Sequence, residues 1–165
     1  MNDLLGVPDP AAAPSLRWGI IAPGGIANKF AEAVSRFTAG QVVAVSSRDE
    51  VRARAFAERH GIPRAYAGYE ALGADAEVDA VYVASPHSAH REHAVAMAQA
   101  GKHVLIEKAL ARNGVEVDEI FDAAQAAGVF AMEAMWTRHL PHIAAVRRWI
   151  AEGRIGEVVT VAADH

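Results

Sequence analysis

Residues 81–110, VYVASPHSAHREHAVAMAQAGKHVLIEKAL, narrow the possible folds more than any other stretch of this chain. An apolar run leads into a polar loop, then a helical segment stopped by Gly101, then a second apolar run ending in Glu107-Lys108. Neither run alternates apolar with polar residues, as expected of strands covered on both faces. Two parallel strands need a crossover connection, and the intervening helix supplies one. The same rhythm extends in both directions. Apolar runs at 16–22, 41–46, 80–84, 103–106 and 129–133 alternate with helical segments at 26–39, 50–60, 88–100, 114–127 and 140–152. Asp49 and Asn113 stand where N-caps belong, and Gly61, Gly101 and Gly128 where helices stop. Residues 64–76 read as an irregular crossover with one helical turn near Glu70, and 157–162 as the beginning of a further strand. The expected architecture is a doubly wound parallel α/β sheet, followed by only the start of a second α/β domain.

The 165 residues suffice for one domain with a real core, and 52% hydrophobic with 22% charged residues suits a globular chain. A formal charge of −4 argues against a nucleic-acid partner, since phosphate binding wants a basic face. With no cysteine there is no disulfide framework and no thiolate chemistry, which fits a reducing, cytoplasmic setting. No apolar run reaches the roughly 20 residues of a membrane span, so no membrane partner is expected. Residues 1–15, rich in Pro and Ala, read as a loose arm rather than a signal peptide.

The turn after the first apolar run reads Ala22-Pro23-Gly24-Gly25-Ile26-Ala27. It fills the G-x-G-x-x-G/A slot of a dinucleotide loop, with Ala22 where the first glycine belongs. A helix N-terminus offers unpaired N–H groups and partial positive charge, which suits a pyrophosphate. Gly24 lets the backbone approach closely, and Ala27 permits tight helix–strand packing. Pro23 donates no N–H and pushes Ala22 toward extended angles, so phosphate contact rests on the amides of Gly25 and Ile26. An ordinary glycine turn is the alternative reading.

At the tip of the second strand, Ser46-Ser47-Arg48-Asp49 lacks the acid that selects NAD by its ribose hydroxyl. Ser47 and Arg48 suit a 2′-phosphate instead, while Asp49 caps the next helix. NADP is the expected cofactor, with NAD as the alternative. Lys108 stands at a strand's carboxyl end, where ligands sit in open parallel sheets. A lysine there can give or take a proton, provided burial or nearby positive charge makes its ammonium more acidic.

Three segments, WGIIAPGGIA, GKHVLIEKAL and EAMWTRHLP, resemble the Gfo/Idh/MocA family of oxidoreductases. The last looks most like its branch of dihydrodiol dehydrogenases, NADP-linked xylose dehydrogenases and glucose–fructose oxidoreductases. The resemblance implies a Rossmann domain and NAD(P)-dependent oxidation of a sugar or cyclic alcohol, a small-molecule substrate. It implies that Glu107 and Lys108 lie beside the nicotinamide, with Lys108 catalytic. The family's E-K-P motif ends here in Ala109, so the peptide bond after Lys108 is expected to lose the cis option that proline would give it, at about 3 kcal/mol. The P-N-x-x-H loop corresponds to Pro86, with His87 in the asparagine's place, and His90, and the resemblance implies that all three contact the cofactor. Ser85 and Pro86 would line the ribose–nicotinamide side. Trp136 would offer a flat wall, and Arg138 a polar contact to cofactor or substrate.

His87, His90 and His93 recur every three residues, but steps of three drift around a helix and no carboxylate or thiolate completes a ligand set. No metal is expected. The division expected is an arm over 1–15, a dinucleotide-binding domain over 16–135, and a connecting helix with the first strand of an incomplete substrate domain over 136–165. Three readings follow: an NADP-dependent dehydrogenase, a binding module or truncated remnant without turnover, or half of an enzyme completed as a homo-oligomer or by a separately encoded C-terminal domain.

Overall fold

The computed structural model describes residues 9–162. Residues 10–134 form one compact unit. Its strands are β1 (Arg17–Ile21), β2 (Gln41–Ser47), β3 (Arg64–Ala67), β4 (Ala80–Val83), β5 (His103–Glu107) and β6 (Ala131–Ala134). Between them run α1 (Gly25–Phe37), α2 (Glu50–His60), α3 (Glu70–Ala74), α4 (His87–Gln99) and α5 (Gly114–Ala127). All strand pairs are parallel, in the order β3-β2-β1-β4-β5-β6. This is the doubly wound Rossmann arrangement, and its direction of winding reverses between β1 and β4.

Burial explains the unbroken apolar runs. Ile20, Ile21, Val45, Val81, Val83 and Ile106 are all fully buried, because helices cover both faces. Each such side chain contributes about 1.5–3 kcal/mol relative to exposure. One core cluster gathers Ile21, Val81, Val83, Met97, Ile106 and Ile120; the other gathers Ile20, Ala27, Val45, Phe56 and Tyr82. The caps fall where local chemistry puts them. Asp49 accepts from the Val51 and Arg52 amides, Asn113 accepts from Glu116, and Gly61 and Gly128 close their helices at φ of 65° and 67°. At the opposite edge from the strand tips, Arg17 binds the Asp79 carboxylate through its backbone N–H and its guanidinium.

Several expectations fail. Residues 64–67 form a strand, β3, paired with Ala44 to Ser47, rather than irregular chain. Its RAYA sequence is short and lies at the sheet's edge, so it carries no full apolar signature. Residues 157–162 are not a strand; they pair with nothing among the described residues. A strand needs a neighbour to satisfy its backbone, and apolar composition alone does not supply one. The loose arm expected over 1–15 lies outside the described residues up to residue 8; Pro10–Ala12 forms a short 3-10 turn. Beyond β6, residues from Met135 belong to a second unit containing a 3-10 turn (Trp136–His139) and α6 (Pro141–Ala151), with proline in its first turn. No helix among the described residues is long and apolar enough to cross a membrane.

Candidate functional site

Register brings the strand tips together. Ile21 pairs with Ser46 on one side and Val83 on the other, and Val83 pairs with Ile106. The turns after β1, β2, β4 and β5 therefore open at one level, around the reversal between β1 and β4. Two hollows lie there. One, of about 630 Å³, is lined by Ala22, Gly24, Ser47, Arg48, Arg52, Tyr69, Ala84, Ser85, Pro86 and His93, among others. The second, of about 240 Å³, is lined by Ile26, Ala84, Ser85, His87, Glu107 and Lys108. Ala84 and Ser85 line both, so the two hollows, together the crevice, adjoin along the carboxyl edge.

The glycine turn sits at its floor. The Ala22 amide continues the sheet by donating to Ser46, and Ala22 itself turns left-handed at φ 61°. That corrects the extended conformation expected before Pro23: tying the Ala22 amide to β2 while the chain turns into α1 outweighs the preference. Gly24 precedes α1, and no acidic side chain occupies the helix's first turn. The amides of Gly25, Ile26 and Ala27 have no intrahelical acceptor. A Cβ on Gly25 would meet nothing within 4 Å, and one on Gly24 only the Ala22 carbonyl at 3.9 Å. Free N–H donors on a turn whose glycines are not crowded by neighbours fit a pyrophosphate. Ala27 is fully buried against β1 and β4 residues, so its smallness serves packing. Asn28 steadies the loop, donating to the Gly24 carbonyl at 2.8 Å while its own oxygen lies 2.8 Å from His60 Nε2.

At the β2 end, the buried Ser47 hydroxyl accepts from the Asp49 amide at 3.2 Å, and Arg48 is exposed. Arg52 and Tyr69 line the same hollow, although sequence reading singled out neither. Arg52 lies one helical turn beyond Arg48, a spacing that could have flagged it. Tyr69 arrives from the turn before α3, and only the fold reveals its proximity.

At the β5 end, Lys108 is exposed on the crevice rim. Glu107 turns away from its ammonium: Oε1 accepts from the Tyr82 hydroxyl at 2.5 Å and Oε2 from the Lys108 amide at 3.1 Å. Burial, followed by the Glu107 bond, pushes the Tyr82 phenol up and keeps it a donor. The peptide bond between Lys108 and Ala109 is cis, contrary to the expectation from the missing proline. Hydrogen bonds fix this turn from three directions. His87 Nε2 lies 2.8 Å from the Lys108 carbonyl, His90 Nδ1 lies 2.9 Å from the Ala109 carbonyl, and Glu133 accepts the Leu110 amide.

His87 lines the crevice, but His90 does not. It is 0% exposed, and its Nε2 meets the Ser85 carbonyl at 2.8 Å. Expected as a cofactor contact, it lies behind the wall and ties the β4 and β5 turns together. Pro86 precedes α4 at the hollow's edge. Trp136 and Arg138, also expected at the cofactor, are exposed on the 3-10 turn of the second unit. A larger hollow of about 810 Å³ lies along α3 and α4 and shares Tyr69, Glu92 and His93 with the first hollow; the helix that begins in it, α3, is only five residues long.

Comparison with known proteins agrees with this fold. The sequence model of the GFO_IDH_MocA family, described as oxidoreductases with an NAD-binding Rossmann fold, matches residues 16–135. Trans-1,2-dihydrobenzene-1,2-diol dehydrogenase of Xenopus laevis is 41% identical over 150 residues, covering 90% of this chain and 46% of that protein. The Mus musculus protein of the same name is 41% identical over 152 residues, covering 91% and 46%. Among solved structures, a 3-ketoreductase from Actinomadura kijaniata in complex with TDP-benzene and NADP superposes with TM-score 0.78 at 36% identity, covering 87% of this chain and 46% of that one. An NAD binding oxidoreductase from Klebsiella pneumoniae gives 0.81 at 32%, covering 87% and 40%. The chain spans under half the length of these relatives.

Proposed function

We infer the function from one premise: the chain belongs to the Gfo/Idh/MocA family of oxidoreductases, with its NAD-binding Rossmann fold. On that reading the chain is the dinucleotide-holding part of an NADP-dependent dehydrogenase acting on a hydroxyl of a sugar or cyclic alcohol. The observation that carries it is the adjacency of the Arg48 hollow and the Lys108 hollow, which share Ala84 and Ser85 at the ends of the strands. The amides of Gly25, Ile26 and Ala27 would hold the pyrophosphate. Ser47, Arg48 and Arg52 would hold a 2′-phosphate, with a guanidinium at the β2 tip where an NAD site wants an acid. Ser85, Pro86 and His87 would line the far half. A bound nicotinamide supplies the hydride exchange. Lys108 would move the hydroxyl proton at its Nζ, free of Glu107 because Tyr82 and the Lys108 amide occupy that carboxylate. The named activities of the diol dehydrogenases and the NADP-bound 3-ketoreductase support substrate class and cofactor.

Fluorescence titration with NADPH and NADH, followed by turnover assays with cyclic diols and aldoses, tests this. Saturable NADPH binding tighter than NADH is expected. Equal or tighter NADH binding contradicts the Arg48 role, and no binding of either contradicts the function itself. Saturable binding with no turnover by the chain in any assay would make it a binding module.

A further inference from the structure

His93 belongs to none of the groups used so far. It sits on α4, one turn beyond His90, and is 9% exposed. Its Nδ1 lies 3.0 Å from the Ser85 hydroxyl, and its ring meets Tyr69 edge-on at 4.3 Å. It lines both the Arg48 hollow and the neighbouring hollow along α3. Among the described residues no hydrogen bond engages its Nε2. His93 thus lines a hollow whose other polar residues include Ser47, Ser85, Ser88, Arg48, Arg52 and Glu92; the two guanidinium groups and the hydroxyls suit a phosphomonoester, and Glu92 is the one acid among them.

Resting on the dinucleotide reading above, we propose that His93 is a specificity-determining residue, taking up a proton from solvent when a ribose 2′-phosphate enters this hollow, and so adding a pH-dependent increment to the preference for NADP over NAD. The groups around it are Glu92 and His90 on its own helix, Arg48 after β2, Arg52 on α2, and Tyr69 and Glu70 at the start of α3. Both nitrogens of His90 are engaged by carbonyls. Burial in the first place holds His93 below the ordinary histidine range; Glu92 opposes this, and His90 and Arg48 add to it. These surroundings favour the neutral imidazole. A phosphate dianion reverses the balance: it attracts the charged form and neutralises the repulsion from Arg48. Once protonated, Nδ1 must donate to Ser85 Oγ, which turns the Ser85 hydroxyl proton outward to the crevice.

The sign distinguishes this from the phosphate's own titration. A free phosphomonoester has its second pKa at about 6, and guanidinium groups select the dianion, so phosphate ionisation alone releases protons on binding. His93 takes protons up. Isothermal titration calorimetry with NADP⁺ and NAD⁺ at pH 6.5, in two buffers of different ionisation enthalpy, measures the net exchange. The wild-type chain is expected to take up about 0.3–0.5 proton more with NADP⁺ than with NAD⁺, as linkage to a raised pKa requires. Its NADP⁺ preference should fall severalfold between pH 6 and pH 8. In His93→Gln the excess uptake vanishes or reverses sign, and the preference loses that fall. Equal exchange in wild type and variant overturns the proposal while leaving dinucleotide binding intact; failure of both dinucleotides to bind overturns the underlying reading and this inference together. Should the variant not fold, NMR titration of the assigned His93 ring in wild type decides. A midpoint higher with NADP⁺ than with NAD⁺ supports the proposal, and an identical midpoint refutes it.

Discussion

The Tyr82 hydroxyl donates to Glu107 Oε1 at 2.5 Å, across the β4–β5 pair, and so draws the acidic neighbour of Lys108 into the sheet. Tyr82 is itself fixed by stacking on Phe30 at 4.0 Å between centroids. Two aromatic rings and one carboxylate thus decide which way a crevice residue points.

Replacing Tyr82 with Phe removes the donor and leaves a partly buried carboxylate oxygen unpaired. Stability should fall by about 1–3 kcal/mol in urea unfolding, the cost of one unsatisfied acceptor. Hydrogen exchange at the Lys108 amide should quicken, because the Glu107 oxygen it donates to is no longer anchored. Unchanged exchange would separate Tyr82 from the Lys108 turn.

His90→Ala removes a ring bonded to the Ser85 and Ala109 carbonyls at full burial. The loss should be about 2–4 kcal/mol, combining the loss of the ring's N–H donation to a carbonyl with a cavity. Exchange protection should drop at Ser85 and Leu110 together, since one side chain ties both turns. Loss at one turn alone would contradict that linkage.

Ala22→Gly should stabilise the chain by about 0.5–1 kcal/mol in thermal or urea unfolding. A left-handed residue with a Cβ costs about 1–2 kcal/mol, less the extra chain entropy of glycine. The φ of 61° motivates this. A destabilised Gly variant would mean that Ala22 does not hold the left-handed conformation in solution.

Asp79 is held down at about 2, foremost by the Arg17 side-chain hydrogen bonds, against burial and with help from the Arg17 amide. A depressed carboxylate contributes stability that is present above its unfolded value near 3.9 and is lost as pH falls toward 2. Both side chains are partly exposed, so the contribution is discounted to about 1 kcal/mol. Asp79→Asn should be less stable than wild type at pH 7, and the gap should shrink steadily below about pH 4 and close only below about pH 2. A gap that stays constant with pH would assign the loss to packing.

Much of this architecture is legible from local chemistry. Asp49 and Asn113 cap helices that follow them, and Gly61 and Gly128 end helices that precede them, so neighbours in sequence decide the outcome. The buried strands announce themselves because both faces are covered. β3 escapes because an edge strand of four residues borrows its order from β2. The same contrast divides the crevice. Gly24, Ser47, Arg48 and Lys108 lie at strand ends that topology alone predicts. Tyr69, Tyr82 and His93 reach their places through packing between elements distant in sequence, whereas Arg52 follows Arg48 by four residues and lies within reach of local reasoning. His90 shows the reverse error: a motif position suggested a ligand contact, but burial makes it a brace.

The most direct test is amide mapping of the ¹⁵N-labelled chain as NADP⁺ is added. The largest shifts are expected at Gly25, Ile26, Ser47, Arg48, Ser85 and Lys108, saturating along one isotherm, with the Ser47 and Arg48 shifts reduced when NAD⁺ replaces NADP⁺. Saturable shifts confined to the α3–α4 hollow, or to the second unit, would contradict a dinucleotide crevice running from Arg48 to Lys108.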